Sequence, residues 1–148
     1  MRLFRKFPVL LLATLFAMVL GASKCSKGGQ LDAMKRLAEG QWQLTELAGK
    51  AVELPADVER PYLAFDPAES SVSGFGGCNR LMGKVEVVGD QLGFPGLGST
   101  KRLCAEGSKL EDAFTGALRQ VSSFKLNGDK LTLLGDGARE LLSLTQVK

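Results

Sequence analysis

Short apolar stretches that alternate with polar residues recur along the chain from about residue 42 to its end. They lie at 42–47, 52–54, 62–65, 71–73, 84–88, 91–94, 124–126, 131–134 and 140–144. A period of two is typical of half-buried strands, and strands spaced roughly every 8–12 residues with short turns are typical of meandering antiparallel sheets. The pattern therefore predicts a mostly β (α+β) domain, in which a small antiparallel sheet is curled or closed like a barrel.

Two segments follow a helical period instead. Residues 30–39 place their apolar side chains on one face, and Gly40 follows as a stop signal. The stronger segment, at about 108–122, begins with Ser108-x-x-Glu111, a pattern typical of a capping box. Its apolar positions at helical spacing are Leu110, Ala113, Phe114, Ala117, Leu118 and Val121. We expect this amphipathic helix to pack its apolar stripe against the sheet.

The first 24 residues have the organisation of a signal peptide. Three basic residues precede an apolar run at 9–20, and the small residues at 21–23 suit a cleavage site. The apolar run is short for a membrane span, which needs roughly 20 residues. The segment predicts export to the periplasm or outer envelope, and a retained membrane anchor is the alternative reading.

Cys25 raises the question of a lipid anchor. It follows the apolar run and precedes the flexible segment 26–29, as the lipidated cysteine of a lipoprotein does. Lys24, however, occupies the position where that class has a small residue, and Leu20 lies two residues early. Lipidation of Cys25 and simple cleavage just upstream of it both stay open. A lipid there is the only membrane attachment that we expect of the mature protein.

The formal charge of +3 comes from the export segment. The chain has 19 basic and 16 acidic residues, and four basic residues but no acidic residue lie in the first 24, which leaves 19 − 4 = 15 against 16, a net charge of −1. The remaining charges are interspersed and form no basic stripe that could neutralise phosphates. The composition therefore argues against nucleic-acid binding.

The chain contains no histidine, which removes the usual general base and the commonest zinc ligand. Thr100 could serve as a nucleophile, but a hydroxyl needs an adjacent base and none is evident. The sixteen acidic residues always allow some carboxylate pair, so such a pair carries no specificity. We therefore predict no catalytic residue, no cofactor and no metal.

A glycine-rich run at Gly74, Gly76 and Gly77 resembles a phosphate-binding loop only superficially. Asn79 stands where the third glycine of that motif belongs, and no βαβ pattern surrounds it. Glycines also permit positive φ and close backbone approach. We expect the run to be structural and Asn79 to hold loop backbone by hydrogen bonds, with Arg80 solvated or paired with a carboxylate.

Three cysteines and an oxidising compartment suggest one disulfide. Cys78 and Cys104 lie inside the domain, whereas Cys25 precedes it. A bridge between the first two would close a loop of about 27 residues and contribute up to about 3.5 kcal/mol. Two buried free thiols are the alternative, and a redox-active pair is disfavoured because no Cys-x-x-Cys motif exists.

Taken in order, these motifs resemble the META domain family, typified by heat-inducible HslJ-like proteins. The resemblance spans about 38–147. The residues that carry it include Trp42, Gly74, Gly76, Gly77, Cys78, Asn79, Arg80, Gly83, Thr100, Cys104, Glu111 and Phe114. Lys84 is a departure, since family members often have tyrosine after the glycine. The resemblance implies a small barrel-like fold with one packed helix, an envelope or secreted location, often as a lipoprotein, and links to stress or antibiotic tolerance.

These observations predict three segments: a signal peptide at 1–24, a tether and short helix at 25–37, and a META-type domain at 38–148. The predicted function is a non-enzymatic exported or lipid-anchored envelope protein with a stress-response or binding role. Its partner would be an envelope protein or a small ligand. The alternative is an inhibitor of a secreted or envelope hydrolase, acting through the loop at 93–98.

Overall fold

The structure, a computed structural model, describes residues 27–55, 58–104 and 107–148. The predicted signal peptide and Cys25 lie outside these residues. Within the described ranges, none of the helices has both the length and the apolar character that a membrane crossing requires.

In the described residues, eleven strands form one antiparallel sheet that curls into a half-barrel. The strands are β1 Gln41–Leu47, β2 Lys50–Ala51, β3 Tyr62–Asp66, β4 Ser71–Phe75, β5 Arg80–Lys84, β6 Glu86–Val88, β7 Gln91–Gly93, β8 Gly98–Ser99, β9 Ser123–Asn127, β10 Lys130–Gly135 and β11 Arg139–Val147. Their order is β6-β7-β9-β10-β11-β1-β3-β4-β5-β8, and β2 pairs with β1 off this path. The predicted mostly β, curled antiparallel fold is confirmed.

One face of the sheet forms the core because apolar residues alternate along the strands. In β1, Trp42 and Leu44 are buried and Gln43 between them is not. In β3, Leu63 and Phe65 are buried in the same way. The pleat sends successive side chains to opposite faces, so these residues converge on the inside of the curl.

Helix α1 (Lys27–Leu37) packs its last turn into this core. Met34 and Leu37 are buried, and Nε1 of Trp42 donates a hydrogen bond of 2.7 Å to the Leu37 carbonyl. The helix begins three residues earlier than the predicted segment 30–39 and ends two residues sooner. Gly40 follows with φ of +95°, which glycine adopts without strain.

Helix α2 (Ser108–Leu118) covers part of the inner face of the sheet, as predicted, but ends four residues before the expected 122. Phe114 and Leu118 are fully buried, and Val121 stays buried beyond the end of the helix. Ala113, placed on the apolar stripe by the sequence, is exposed. The helical period therefore identifies the element and most of its buried face.

The predicted capping box at the start of α2 is wrong. The residue before the helix is Gly107, with φ of +86°, and no side chain caps the helix. The Ser108 hydroxyl donates to the Cys104 carbonyl at 2.8 Å instead. The Glu111 carboxylate does not bond to the Ser108 backbone, because it accepts hydrogen bonds from the buried backbone N–H groups of Cys78 and Asn79.

Candidate functional site

A disulfide joins Cys78 to Cys104, with the two Cα atoms 6.0 Å apart. It ties the connection between β4 and β5 to the segment that precedes α2. The predicted bridge is confirmed, and the alternative of two free thiols is excluded. The sequence separation of 26 residues makes it a crosslink between two segments that are distant along the chain.

The glycine run brings backbone segments closer than other residues allow. A Cβ added at Gly74 would lie 2.1 Å from the Tyr62 carbonyl oxygen, and one at Gly76 would lie 2.8 Å from the Glu111 side chain. Gly77 has φ of +122°, a conformation that favours glycine. The run therefore lets the β4–β5 connection fold tightly around the start of α2.

The carboxylate of Glu111 is the centre of this arrangement. Although Glu111 is only 8% exposed, its Oε2 accepts hydrogen bonds from the backbone N–H groups of Cys78 at 3.0 Å and Asn79 at 2.5 Å. Its Oε1 accepts a third from Nδ2 of Asn79 at 2.9 Å. Hydrogen bonds to an ionised acceptor are roughly twice as strong as neutral ones. One helical side chain thus holds the whole turn at 78–79.

Asn79 passes this constraint on to the segment before Cys104. Its Oδ1 accepts from the Arg102 backbone N–H at 2.6 Å, and its Nδ2 donates to the Arg102 carbonyl at 3.3 Å. The side-chain amide thereby exchanges both hydrogen bonds with one residue, as a neighbouring strand would. Asn79, 6% exposed, acts as a one-residue strand partner for Arg102.

The hydroxyl of Thr100 is engaged in the same network. It donates to Oδ1 of Asn79 at 3.0 Å and accepts from the Arg80 backbone N–H at 3.2 Å. The Thr100 backbone N–H also donates to the Arg80 carbonyl at 3.1 Å. These contacts extend the pairing of β5 with β8 by one residue. They also hold Thr100 in place beside Arg80.

An open groove of about 400 Å³ lies beside the disulfide on the outer face of the sheet. The strand register places Tyr62 opposite Phe75 and Phe75 opposite Arg80, so these three side chains lie in a row across β3, β4 and β5. The groove is lined by Glu59, Tyr62, Phe75, Cys78, Arg80, Thr100 and Arg102. It therefore combines two aromatic rings, two guanidinium groups, the cystine and the carboxylate of Glu59.

The guanidinium groups of Arg80 and Arg102 are exposed. Among the described residues, the sole ion pair joins Lys130 to Glu46 at 3.9 Å, so neither arginine has a carboxylate partner there. In that part of the chain, every buried side-chain nitrogen or oxygen has a hydrogen-bond partner. The polar groups of the site that are available to a ligand are therefore the exposed guanidinium groups in the groove, not the buried groups beneath it.

The structure brings most of the residues singled out by the sequence to this one place. They are Gly74, Gly76, Gly77, Cys78, Asn79, Arg80, Thr100 and Cys104. Trp42 lies elsewhere, in the core against α1, and Cys25 is outside the described residues. No group of three potential metal-ligating side chains occurs in the described ranges.

Sequence reasoning missed five contributors: Glu59, Tyr62, Phe75, Arg102 and Glu111. A signal existed for Glu111, because it lies three residues before Phe114 and seven before Leu118, on the apolar face of α2. A carboxylate on such a face needs a buried partner. The other four depend on strand register and long-range pairing.

Comparison with known proteins finds one matching family and several solved structures with a similar fold. A family model described as the META domain matches residues 35–148. A protein from Burkholderia xenovorans solved by NMR is 25% identical, with a TM-score of 0.62 over 80% of this chain and 88% of that chain. Another protein solved by NMR is 24% identical, with a TM-score of 0.61 over 76% and 93%.

A third solved structure is more distant. It is the crystal structure of a DUF4847 family protein from Bacteroides vulgatus, which is 14% identical, with a TM-score of 0.57 over 78% of this chain and 98% of that chain. No curated protein matches this chain. The structural likenesses show a shared fold.

Proposed function

The chain belongs to the META domain family, and from this premise we propose that it is a non-enzymatic, exported envelope protein with a stress-related binding role. Its ligand occupies the groove beside the disulfide. The observation that carries the proposal is the pair of guanidinium groups, Arg80 and Arg102, that face an open aromatic groove. Among the described residues neither forms an ion pair, although the Glu59 carboxylate lines the same groove.

The chemistry of the groove favours a ligand with an anionic group beside a flat apolar one. A guanidinium binds a carboxylate through two parallel hydrogen bonds, and it also stacks on aromatic faces. Tyr62 and Phe75 supply apolar surface next to Arg80. The backbone of Arg102 is already held by the side chain of Asn79, so little conformational entropy is lost when a ligand binds.

A binding role is supported over a catalytic one by the way the polar groups are used. The Thr100 hydroxyl donates to Oδ1 of Asn79, and an amide oxygen is too weak a base to activate a nucleophile. The Glu111 carboxylate is occupied by three donors from 78–79. Both groups are therefore committed to hydrogen bonds that hold residues 78–80, even though Thr100 lines the groove.

Export is supported by the disulfide, since such bonds persist mainly in oxidising compartments. The test is the intact mass of the native protein purified from an envelope fraction. We expect loss of the first 22–24 residues, an intact Cys78–Cys104 bridge and, if Cys25 is lipidated, the added mass of acyl chains. A full-length chain recovered from the cytosol with reduced thiols would contradict export.

The groove is tested by titrating ¹⁵N-labelled mature protein with N-acetyl-phenylalanine, which carries a carboxylate and an aromatic ring. We expect the largest chemical-shift changes at Tyr62, Phe75 and Arg102, and weaker changes with the uncharged N-acetyl-phenylalaninamide. Arg102→Gln should weaken binding, whereas Arg119→Gln, an exposed change at the far end of α2, should not. Equal responses to acid and amide would rule out the guanidinium site.

A second candidate, an inhibitor of a secreted or envelope hydrolase, is favoured by the exposed segment that precedes Cys104. In the loop predicted for this role, at 93–98, Pro95 and Gly96 are exposed, but the loop is held to the sheet. Phe94 is buried with its ring 6.3 Å from that of Phe65, and the Pro95 carbonyl accepts a backbone hydrogen bond from Lys84. The segment before Cys104 is different, because Leu103 there is fully exposed. This segment fits an inhibitor better than 93–98.

A further inference from the structure

We propose that residues 101–104 form a docking strand that enters the substrate cleft of an extracytoplasmic peptidase, with Leu103 as the side chain that fills an apolar specificity pocket. The proposal rests on the second candidate function and names its partner class and its contact residue. It does not require a ligand in the groove, although the two surfaces share Arg102.

The exposure of Leu103 is the first observation. Its relative exposure is 105%, against 63% for Val88 and 56% for Met82, the next most exposed large apolar side chains among the described residues. Scattered apolar residues on a surface are ordinary. Leu103 differs because the backbone that presents it is fixed on both sides.

Fixation of the segment is the second observation. Before Leu103, both backbone groups of Arg102 bond to the side chain of Asn79. After it, Cys104 is held by the disulfide, and its carbonyl accepts from the Ser108 hydroxyl. An apolar side chain on a rigid support binds with a small ordering cost, which favours tight association through a small contact.

The direction of the backbone groups is the third observation. The side chain of Asn79 forms hydrogen bonds with both the N–H and the C=O of Arg102. Both backbone groups must therefore point toward Asn79, as they do in an extended chain. In extended chain the next residue directs its own pair to the opposite side. The N–H and C=O of Leu103 therefore face away from the protein, and no hydrogen bond among the described residues uses them.

A backbone pair that has no hydrogen-bond partner among the described residues, beside an exposed apolar side chain, matches strand addition to an open sheet edge. In that mode the main chain supplies affinity and a pocket for one side chain supplies specificity. Peptidases bind extended chain in this way, and a hydrophobic slot for one side chain sets their preference. The segment therefore suits a peptidase that accepts large aliphatic or aromatic residues.

The charges around Leu103 restrict the partner further. Lys101 and Arg102 are exposed on the same short segment, and Arg80 lies nearby in the groove. A partner with acidic residues around its pocket would be attracted, and a basic one repelled. A lipid surface suits the basic charges as well, but it offers no backbone groups of fixed geometry with which the outward N–H and C=O of Leu103 could pair. The exposed backbone pair therefore favours a protein cleft.

The test measures inhibition of chymotrypsin, subtilisin and elastase by the oxidised mature protein, with chromogenic substrates that carry apolar residues. We expect competitive inhibition of at least one enzyme and weakening of about tenfold or more for Leu103→Ala, as for truncation of an interface anchor. Val88→Ala removes another exposed apolar side chain, on β6, and should leave the inhibition constant unchanged. Circular dichroism confirms that both variants fold.

Each contrary result has a distinct meaning. Inhibition that Leu103→Ala leaves unchanged would overturn the docking strand and keep the inhibitor candidate. No inhibition of any of the three enzymes by the wild-type protein would overturn both, and the groove proposal would still stand on its titration. Leu103-dependent binding to phosphatidylglycerol vesicles without inhibition would overturn the peptidase in favour of a membrane.

Discussion

At the scale of single residues, the surface around the disulfide depends on one carboxylate. Glu111 collects three donors from residues 78–79, and Asn79 then uses its remaining capacity to hold Arg102. The chain of contacts runs from the apolar face of a helix to an exposed segment. A change at Glu111 should therefore be felt at Leu103, although the two side chains are not in contact.

Glu111→Ala is expected to lower the free energy of unfolding by about 3 kcal/mol, because it leaves buried donors of Cys78 and Asn79 without an acceptor. Glu111→Gln keeps one acceptor oxygen and should cost less, about 1–2 kcal/mol. Urea unfolding followed by Trp42 fluorescence measures both values. The exposed neighbour provides the control, since Asp112→Ala should change stability by less than about 0.5 kcal/mol.

The sequence assigns Asn79 a backbone-locking role, and the hydrogen bonds agree with that reading. It misplaces Glu111, because the local pattern Ser-x-x-Glu favours a capping box while the donors that claim the carboxylate lie 32 and 33 residues away in sequence. Local sequence preference does not include these hydrogen bonds, because their donors reach Glu111 only after the turn at 78–79 has folded. Arg102 was missed for the same reason.

At the scale of elements, the two glycines of α2, one just before the helix and one inside it, have different surroundings. A Cβ at Gly107 would lie 2.4 Å from the Gly77 carbonyl oxygen, and its φ of +86° is strained for other residues. Gly116, inside the helix, has nothing within 4 Å of an added Cβ. The first glycine allows the helix to approach the β4–β5 turn, whereas the second only weakens the helix.

Gly116→Ala is expected to raise the free energy of unfolding by about 0.5–1 kcal/mol, because alanine in a helix interior avoids the backbone entropy cost of glycine. Thermal unfolding followed by circular dichroism measures the change. A decrease in stability would show that this part of α2 packs against something that its open surroundings do not reveal.

Gly107→Ala is expected to lower the free energy of unfolding by more than about 1 kcal/mol, since the new side chain needs a left-handed conformation and displaces backbone. The same thermal measurement applies. Stability equal to that of the wild-type protein would mean that α2 shifts away from the turn at no cost, against the close approach of Gly107 to Gly77.

Alternation predicted most strands within a few residues, for example 62–65 for β3 and 131–134 for β10. The strand order is a different matter. β1 lies between β11 and β3, and the path ends at the very short strands β6 and β8. These neighbours are set by pairings across the whole chain, which a period of two does not encode. Short edge strands also limit pairing with other molecules.

At the scale of the whole molecule, two long-range closures define the fold. The β1–β11 pairing joins the beginning of the domain to its end, with Leu44 opposite Leu144. The disulfide joins the β4–β5 connection to the start of α2. The first depends on core packing and the second on oxidation, so the two can be separated by experiment.

The double variant Cys78→Ser/Cys104→Ser is expected to lose up to about 3.5 kcal/mol of stability, since the unfolded chain regains the freedom of a loop of about 27 residues. Chemical denaturation with Trp42, the single tryptophan, reports the change. Because Trp42 and α1 lie in the core away from the bridge, the native fluorescence should survive. An unchanged midpoint would contradict this account, in which the bridge acts by restricting the unfolded chain.

The crosslink also decides what happens if the backbone is cut. Any single break between residues 79 and 103 leaves two polypeptides joined through sulfur, so no fragment can diffuse away. After a cut following Leu103, the new carboxyl end would remain tied down by Asn79 and the new amino end by Cys104. The severed termini would stay next to each other, a geometry from which a nicked chain can be resealed.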